Sequence, residues 1–240
     1  MLDLRVVKAC LIVPAYDASR TLAAVLAGLA DDLPGVERIV VDDGSHDDTA
    51  GVAKSAAVRL LQHAHNRGKG AALATGLEEA ARLGFTVAVT VDADGQHPAA
   101  SAREVLRGSD DPRALVLGVR DLDAAGAPGA NKYGNGVSNW WLSFFAGRPL
   151  RDTQCGLRRY PVKETLALGV KSRGYAFEAE VVLRANAARL PIVERQIAVL
   201  YSADLARATH FRKVLDPTRI VLTVIRTAAE LRLRGVAHAA

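Results

Sequence analysis

Three observations predict an α/β protein with a mostly parallel sheet covered by helices on both faces. Strand and helix signals alternate through the first 120 residues, the strands are apolar along their whole length, and a polar cluster follows each of the first four. Only a sheet buried on both sides accommodates strands without polar alternation. Val6 to Val13 is the first apolar, β-branched run, and Pro14 ends it. Ser19 or Asp17 is placed to cap the next helix, which runs to about Leu33 with Leu22, Val25, Leu26 and Leu29 as its apolar stripe. Pro34-Gly35 turns the chain into the second strand, Val36 to Val41. Asp47, Asp48 and Thr49 open a short helix, where carboxylates suit the dipole. Val58 to Leu61 is the third strand. Lys69 to Leu83 is a helix closed by Gly84, Phe85 to Val91 the fourth strand, and Ala114 to Val119 the fifth, after a helix opened by Pro98.

The second half is less regular. Residues 121–131 read as a mobile loop and residues 132–146 as an apolar helix. For its Trp140, Trp141, Phe144 and Phe145, core packing is the expectation, with a dimer contact or a lipid-facing surface as alternatives. Residues 152–160 form a short extended segment, 174–190 a helix, Pro191 to Leu200 a strand, 201–213 a polar loop and Pro217 to Leu233 a last helix. With no internal repeat and no linker, one domain is expected over 1–240, divided into 1–120, 121–213 and a C-terminal amphipathic helix at 214–240.

Half of the 240 residues are hydrophobic and 24% are charged, enough to bury a full core. Two cysteines exclude a disulfide scaffold, and Cys10, in an apolar run, is expected to pack as a small hydrophobe. Charges interrupt the apolar N-terminus and no run approaches the ~18 apolar residues of a membrane span, so a cytoplasmic protein is expected, with the inner face of the membrane as an alternative. The net charge of +5 divides into −3 over residues 1–120 and +8 over residues 121–240. An acidic half followed by a basic half suggests two tasks, and without basic–aromatic interleaving no nucleic-acid partner is expected.

Ligands bind outside the carboxyl ends of parallel strands, which points to VPAYD, DDGSHDD, NRGKG and DADGQHP. Asp92 and Asp94, two apart in an extended segment, project the same way and suit Mg²⁺ or Mn²⁺. Alone, such a pair reads as a helix cap; the Gln96, His97, Pro98 continuation shifts the balance toward a site. Asp42 and Asp43 are placed to accept hydrogen bonds from a base or ribose, and Gly44 permits close backbone approach. NRGKG lacks P-loop spacing, so a phosphate role for Lys69 and a plain helix start weigh equally. Asp152 is a candidate base, or a salt-bridge partner of Arg151, Arg158 or Arg159. Gly156 allows close approach, Gln154 lies nearby, and one of Glu178 and Glu180 is expected to be structural. Lys132 approaches a phosphate or caps the preceding loop.

In order and spacing, VPAYDASRTL, VVDDGSHDDT, NRGKGAAL, VDADGQHP, DTQCGLRRY, GYAFEAEVVLRA and THFR resemble family 2 glycosyltransferases of the Rossmann-like GT-A fold. The resemblance is strongest to the branch of dolichol-phosphate mannose synthases and bacterial polyprenyl-phosphate glycosyltransferases. It implies that Pro14, Ala15, Tyr16 and Asp17 begin the nucleotide pocket, that Asp43, with Asp42 beside it, holds the base or ribose, and that Asp92 and Asp94, assisted by Gln96, carry the metal; Gly44 and Ala93 are further nucleotide-sugar candidates. It also implies that His210 and Arg212 close over the donor diphosphate. Gln154, Lys132 and Glu178 are the acceptor candidates. Many relatives read Asn-Glu after VPAY where this chain reads Asp17-Ala18, which leaves the nucleotide, GDP- or UDP-linked, open.

The expectation is an inverting transfer from a nucleotide sugar to a lipid phosphate or a hydroxyl acceptor. Asp94 and Asp152 are its catalytic candidates. The last helix invites a peripheral membrane contact or, equally, packing on the domain; a homo-oligomer is open. The rivals are a nucleotide-sugar-binding module without activity and a sugar nucleotidyltransferase, whose Gly-rich basic loop after the first strand is missing here.

Overall fold

The computed structural model describes residues 7–123, 125–127, 129–200 and 215–237. In chain order the elements are β1 (Ala9–Ala15), α1 (Leu22–Asp32), β2 (Glu37–Asp42), α2 (Thr49–Ser55), β3 (Arg59–Gln62), α3 (Lys69–Arg82), β4 (Val87–Thr90) and α4 (Ala99–Leu106). They continue as β5 (Leu115–Arg120), α5 (Gly129–Ala146), β6 (Arg158–Pro161), α6 (Val162–Ala167), α7 (Ala176–Ala187), β7 (Ile192–Ile197) and α8 (Leu215–Ala237).

The strands form one seven-stranded sheet in the order β3-β2-β1-β4-β6-β5-β7. β6 runs antiparallel to both neighbours and the other pairs are parallel. Along β1, Leu11 and Val13 pack with α1 and α4, while Cys10 and Ile12 pack on the other face with α3 and α7. That two-sided burial is why the strand shows no polar alternation. Cys10 packs as a small hydrophobe, and burial pushes its thiol up to about 12.

Several sequence expectations are corrected. α1 starts at Leu22, and neither Ser19 nor Asp17 caps it; Ala18 O accepts the Thr21 and Leu22 amides in a preceding turn. α5 starts at Gly129, inside the segment expected to be a loop. Core packing, the sequence expectation for its aromatics, fails for Trp140 and Phe144, which are 63% and 64% exposed. Within 152–160 only Arg158 onward is strand, and it pairs Thr90 with Arg158 and Val87 with Pro161. α6 was not anticipated. Arg158 and Arg159 are fully buried in β6, where each guanidinium serves backbone carbonyls. Arg158 donates to Thr153 O, Cys155 O and Glu178 O, and Arg159 to Leu106 O, Ser109 O and Asp111 O beyond the end of α4. Neither pairs with Asp152.

The last helix packs on α7 through Val224 and Ala228, with Ile220 and Leu231 partly buried. Its apolar stripe is therefore mostly spent on the protein, and Arg219, Arg226 and Arg232 stand in solvent.

Candidate active site at the carboxyl edge of the sheet

The carboxyl ends of β1, β2, β3 and β4 meet at one edge. Beyond β1, Tyr16 OH lies 3.4 Å from His46 Nδ1, and the Asp17 amide donates to Ser45 Oγ at 3.0 Å. Asp17 takes a left-handed backbone (φ +47°), and its carboxylate accepts the His46 amide at 2.7 Å. The segment after Pro14 and Ala15 is thus laced to the DDGSHDD segment by short polar contacts.

Asp43 is buried and fully engaged. Its Oδ1 accepts the Arg67 amide at 2.9 Å and lies 2.6 Å from His63 Nδ1, and its Oδ2 accepts the Gly68 amide at 2.7 Å. His63 Nε2 in turn lies 3.0 Å from Thr75 Oγ1. Expected at the base or ribose, Asp43 is found holding the NRGKG loop. Asp42 is turned inward too, accepting from Ser45 and from Gln62 Nε2. Gly44 has φ +73°, and a Cβ there would meet the His65 carbonyl carbon at 2.5 Å. Only glycine fits that combination of backbone and close approach.

The NRGKG loop also rests on the second half of the chain. The Ala71 amide donates to Arg173 O at 2.8 Å, and a Cβ on Gly70 would meet Phe177 Cβ at 2.6 Å and Gly174 O at 2.7 Å. This backbone-to-backbone seating sets the start of α3 and the direction of Lys69. Its Nζ lies 2.7 Å from Asp92 Oδ1 and 3.3 Å from Glu178 Oε1. Burial disfavours the Lys69 ammonium, but Asp92 and Glu178 outweigh it and hold its pKa well above the ordinary range. Burial likewise works against the Asp92 carboxylate, and Lys69 overcomes it, holding Asp92 below its usual value.

Asp94 behaves oppositely: burial and the neighbouring Asp92 charge push it up to about 6. The Gln96 amide donates to Asp94 Oδ1 at 2.9 Å, and Ala93 O accepts Thr21 Oγ1 at 2.6 Å. Gly156 passes so close that a Cβ would meet Lys69 Nζ at 2.7 Å and collide with the Asp92 carboxylate. Burial lowers the proton affinity of His97, against the pull of Asp92, and its Nε2 lies 3.9 Å from Cys155 Sγ.

Asp152 is 1% exposed and clamped by Arg120, whose Nε donates to Oδ2 at 2.7 Å and Nη2 to Oδ1 at 3.0 Å. The Arg120 amide adds a third bond at 3.1 Å. A salt bridge therefore forms, but with Arg120 rather than Arg151, Arg158 or Arg159; Arg151 pairs with Glu194. Arg120 also lies within electrostatic range of Asp92 and Asp94. Sequence reasoning overlooked it, although it ends β5 at the edge where ligand groups are expected. His63, one residue beyond β3, was overlooked for the same reason. Gln154 reaches Gly134 O at 3.4 Å, and Lys132 pairs with Asp123 at 2.6 Å in the preceding loop. Glu178 is buried beside Lys69. Glu180 is the structural member of its pair, bound by Arg184, Ser172 and the Lys171 amide. His210 and Arg212, with Arg207, lie outside the described residues.

Asp92 and Asp94 form a like-charge pair, and burial together with the Asp92 charge holds the Asp94 pKa up. Among the described residues no third His, Cys, Asp or Glu joins them in a metal-sized cluster. That donor set does not suit a structural zinc site. It suits Mg²⁺ or Mn²⁺, which take one or two carboxylates and fill the remaining positions with phosphate oxygens and water.

Carboxylates, a half-buried ammonium and glycine-shaped loops gather at the carboxyl edge of the sheet, where open α/β sheets take their ligands. Residues 10–157 match the family described as Glycosyl transferase family 2, and the chain belongs to it. The chain is 29% identical over 225 residues to UDP-N-acetylglucosamine–dolichyl-phosphate N-acetylglucosaminyltransferase of Methanococcus voltae, covering 83% of this chain and 89% of that one. It is 29% identical over 195 residues to polyprenol monophosphomannose synthase of Mycolicibacterium smegmatis, covering 76% and 74%. Glucosyl-3-phosphoglycerate synthase of Mycobacterium tuberculosis, solved with Mn²⁺, UDP-glucose and phosphoglyceric acid, superposes with a TM-score of 0.72 at 16% identity over 94% of this chain and 81% of that one. At that identity the likeness is one of fold, and the fold is GT-A.

Proposed function

We propose that this chain is an inverting glycosyltransferase that moves a sugar from a GDP- or UDP-linked donor to a polyprenyl or dolichyl phosphate with the aid of Mg²⁺ or Mn²⁺. Residues 1–120 would hold the donor and residues 121–213 the acceptor. The observation that carries the reading is the Asp92–Asp94 pair at the sheet edge, with Asp94 pushed up to about 6, in a chain similar to two enzymes named for lipid-phosphate acceptors.

Asp92 and Asp94 would hold the cation, which supplies positive charge against the leaving nucleoside diphosphate. Lys69 keeps Asp92 ionised and aimed, and the Gln96 amide fixes Asp94. Asp43 and Gly44 shape the loops that receive the nucleoside, and the resemblance assigns His210 and Arg212 to the diphosphate. A lipid phosphate arrives ionised and needs no general base, which agrees with Asp152 being committed to Arg120.

The test is transfer of radiolabelled sugar from GDP-mannose or UDP-N-acetylglucosamine into lipid extract, using polyprenyl phosphate with and without Mn²⁺, with the product anomer read by NMR. Asp94→Asn is expected to lower transfer by about a thousand-fold or more with the circular dichroism unchanged. Metal-independent transfer, or wild-type rates in Asp94→Asn, would overturn the cation assignment. A retained anomer would overturn inversion.

A further inference from the structure

We infer that Glu178 is a positioning residue for the cation site, one that receives the Lys69 ammonium when a divalent cation takes Asp92; the assignment rests on Asp92 and Asp94 being the cation ligands. Lys69 Nζ lies 2.7 Å from Asp92 Oδ1 and 3.3 Å from Glu178 Oε1. One ammonium is thus shared unequally between a carboxylate at the sheet edge and a carboxylate in the first turn of α7. Lys69 holds Oδ1 of Asp92, and Gly156 passes close to Oδ2. Little of that carboxylate is left for another cation while the ammonium stays. Before a cation arrives, Lys69 keeps Asp92 ionised; once one arrives, the two like charges compete for the same oxygens.

Glu178 offers the ammonium a second seat. Its side chain is buried, and Oε1 accepts no hydrogen bond at the distance and angle it now has. A buried carboxylate oxygen left short of donors costs free energy, so a closer ammonium satisfies it. Arg158, the other buried cation nearby, aims its donors at the carbonyls of Thr153, Cys155 and Glu178 and leaves the Glu178 carboxylate to Lys69.

The backbone keeps the two side chains in reach of each other. A Cβ on Gly70 would meet Phe177 Cβ at 2.6 Å, and the Ala71 amide donates to Arg173 O at 2.8 Å. The start of α3 is therefore seated on the start of α7, one residue from Lys69 and one from Glu178. That seating does not involve Asp92. Rotation about the lysine side-chain torsions is all that the exchange requires.

The test is Mn²⁺ binding at pH 7.5, read from the electron paramagnetic resonance signal of free Mn²⁺, with the ion alone and with UDP or GDP. Wild type, Glu178→Met, Lys69→Met and the double variant are compared, each checked for its fold by circular dichroism. Glu178→Met leaves the ammonium on Asp92 alone and is expected to weaken Mn²⁺ binding about ten-fold. Lys69→Met frees Asp92 and is expected to bind about ten-fold more tightly than wild type. Adding Glu178→Met to Lys69→Met should change nothing, because Glu178 acts through the ammonium. A second measurement needs no Glu178 variant. The Nζ nitrogen resonance of Lys69, identified by its loss in Lys69→Met, should shift when Mg²⁺ is added to wild type. Wild-type affinity in Glu178→Met, or a Lys69 resonance that stays in place at saturating Mg²⁺, would overturn the inference and leave the cation site standing. So would an equal ten-fold loss in the Lys69→Met background, because Glu178 would then attract the ion directly. A wild type that binds no Mn²⁺ under any of these conditions would overturn the cation assignment and this inference together.

Discussion

Lys69→Met replaces an ammonium with an isosteric apolar chain at the centre of the site. Lys69 is the ion-pair partner of Asp92 and Glu178, at 2.7 Å and 3.3 Å. Removing one partner of a buried pair costs about 3–5 kcal/mol. The Lys69 and Asp92 side chains retain 17% and 24% exposure, so water recovers part of that and about 2–3 kcal/mol is expected near neutral pH. In a chain of this length that lowers the melting temperature by roughly 5–10 °C.

The pH dependence gives the sharper check. In the wild type, burial acts against the Asp92 carboxylate but Lys69 holds its pKa below the unfolded value. Its stabilisation is therefore present above that unfolded value and is lost as pH falls through the folded one. Without Lys69, burial and Asp94 both raise the Asp92 pKa, and protonation relieves the folded variant. The gap between the proteins should be widest near pH 7.5 and shrink toward pH 4, and Mn²⁺ should raise the melting temperature of the variant more than that of the wild type. Urea unfolding across pH measures the first, and thermal melts with and without Mn²⁺ measure the second. A variant as stable as wild type at pH 7.5, or a gap that widens on acidification, would refute the reasoning.

Two further predictions follow from other buried carboxylates. His63→Leu should weaken nucleoside diphosphate binding about ten-fold by calorimetry and raise the donor KM with kcat nearly unchanged, because Asp43 loses one of the bonds by which it holds the loop. His63→Asn restores a donor to Asp43 and should recover most of that loss; no recovery would count against the positioning role. Glu180 is buried, which disfavours its charge, but Ser172 and Arg184 outweigh this and lower its pKa below 4.5. Glu180→Gln should cost about 3 kcal/mol at pH 7. The difference should narrow only below pH 4.5, as protonation removes the wild-type advantage. Narrowing between pH 7 and pH 5 in urea titrations would contradict the assignment.

The alternation of β1 to β5 with α1 to α4 was legible because a parallel strand buried on both faces must be apolar throughout, and local sequence carries that signal. Gly44, Gly156 and the Asp92–Asp94 pair were legible for the same reason: their backbone freedom and spacing are local properties. β6 was not, because two adjacent arginines in RRYP read as surface, and only backbone carbonyls at the end of α4, in the 153–155 segment and at Glu178 make their burial tolerable. The partner of Asp152 was equally out of reach. Three arginines lie within seven residues of it, yet strand pairing brings in Arg120, 32 residues away.

The amino-acid sequence by itself determined the α/β architecture, the edge of the sheet where a ligand is expected, and the carboxylates gathered there. These follow from periodicity, composition and the rule that parallel strands present their carboxyl ends together. Only the tertiary structure decided which polar groups meet: Lys69 with Asp92 and Glu178, His63 with Asp43, Arg120 with Asp152. It also decided which of four aromatics point outward. Coulomb and packing energies depend on separations between residues far apart in the chain, and those separations exist only once the sheet has brought the two halves together.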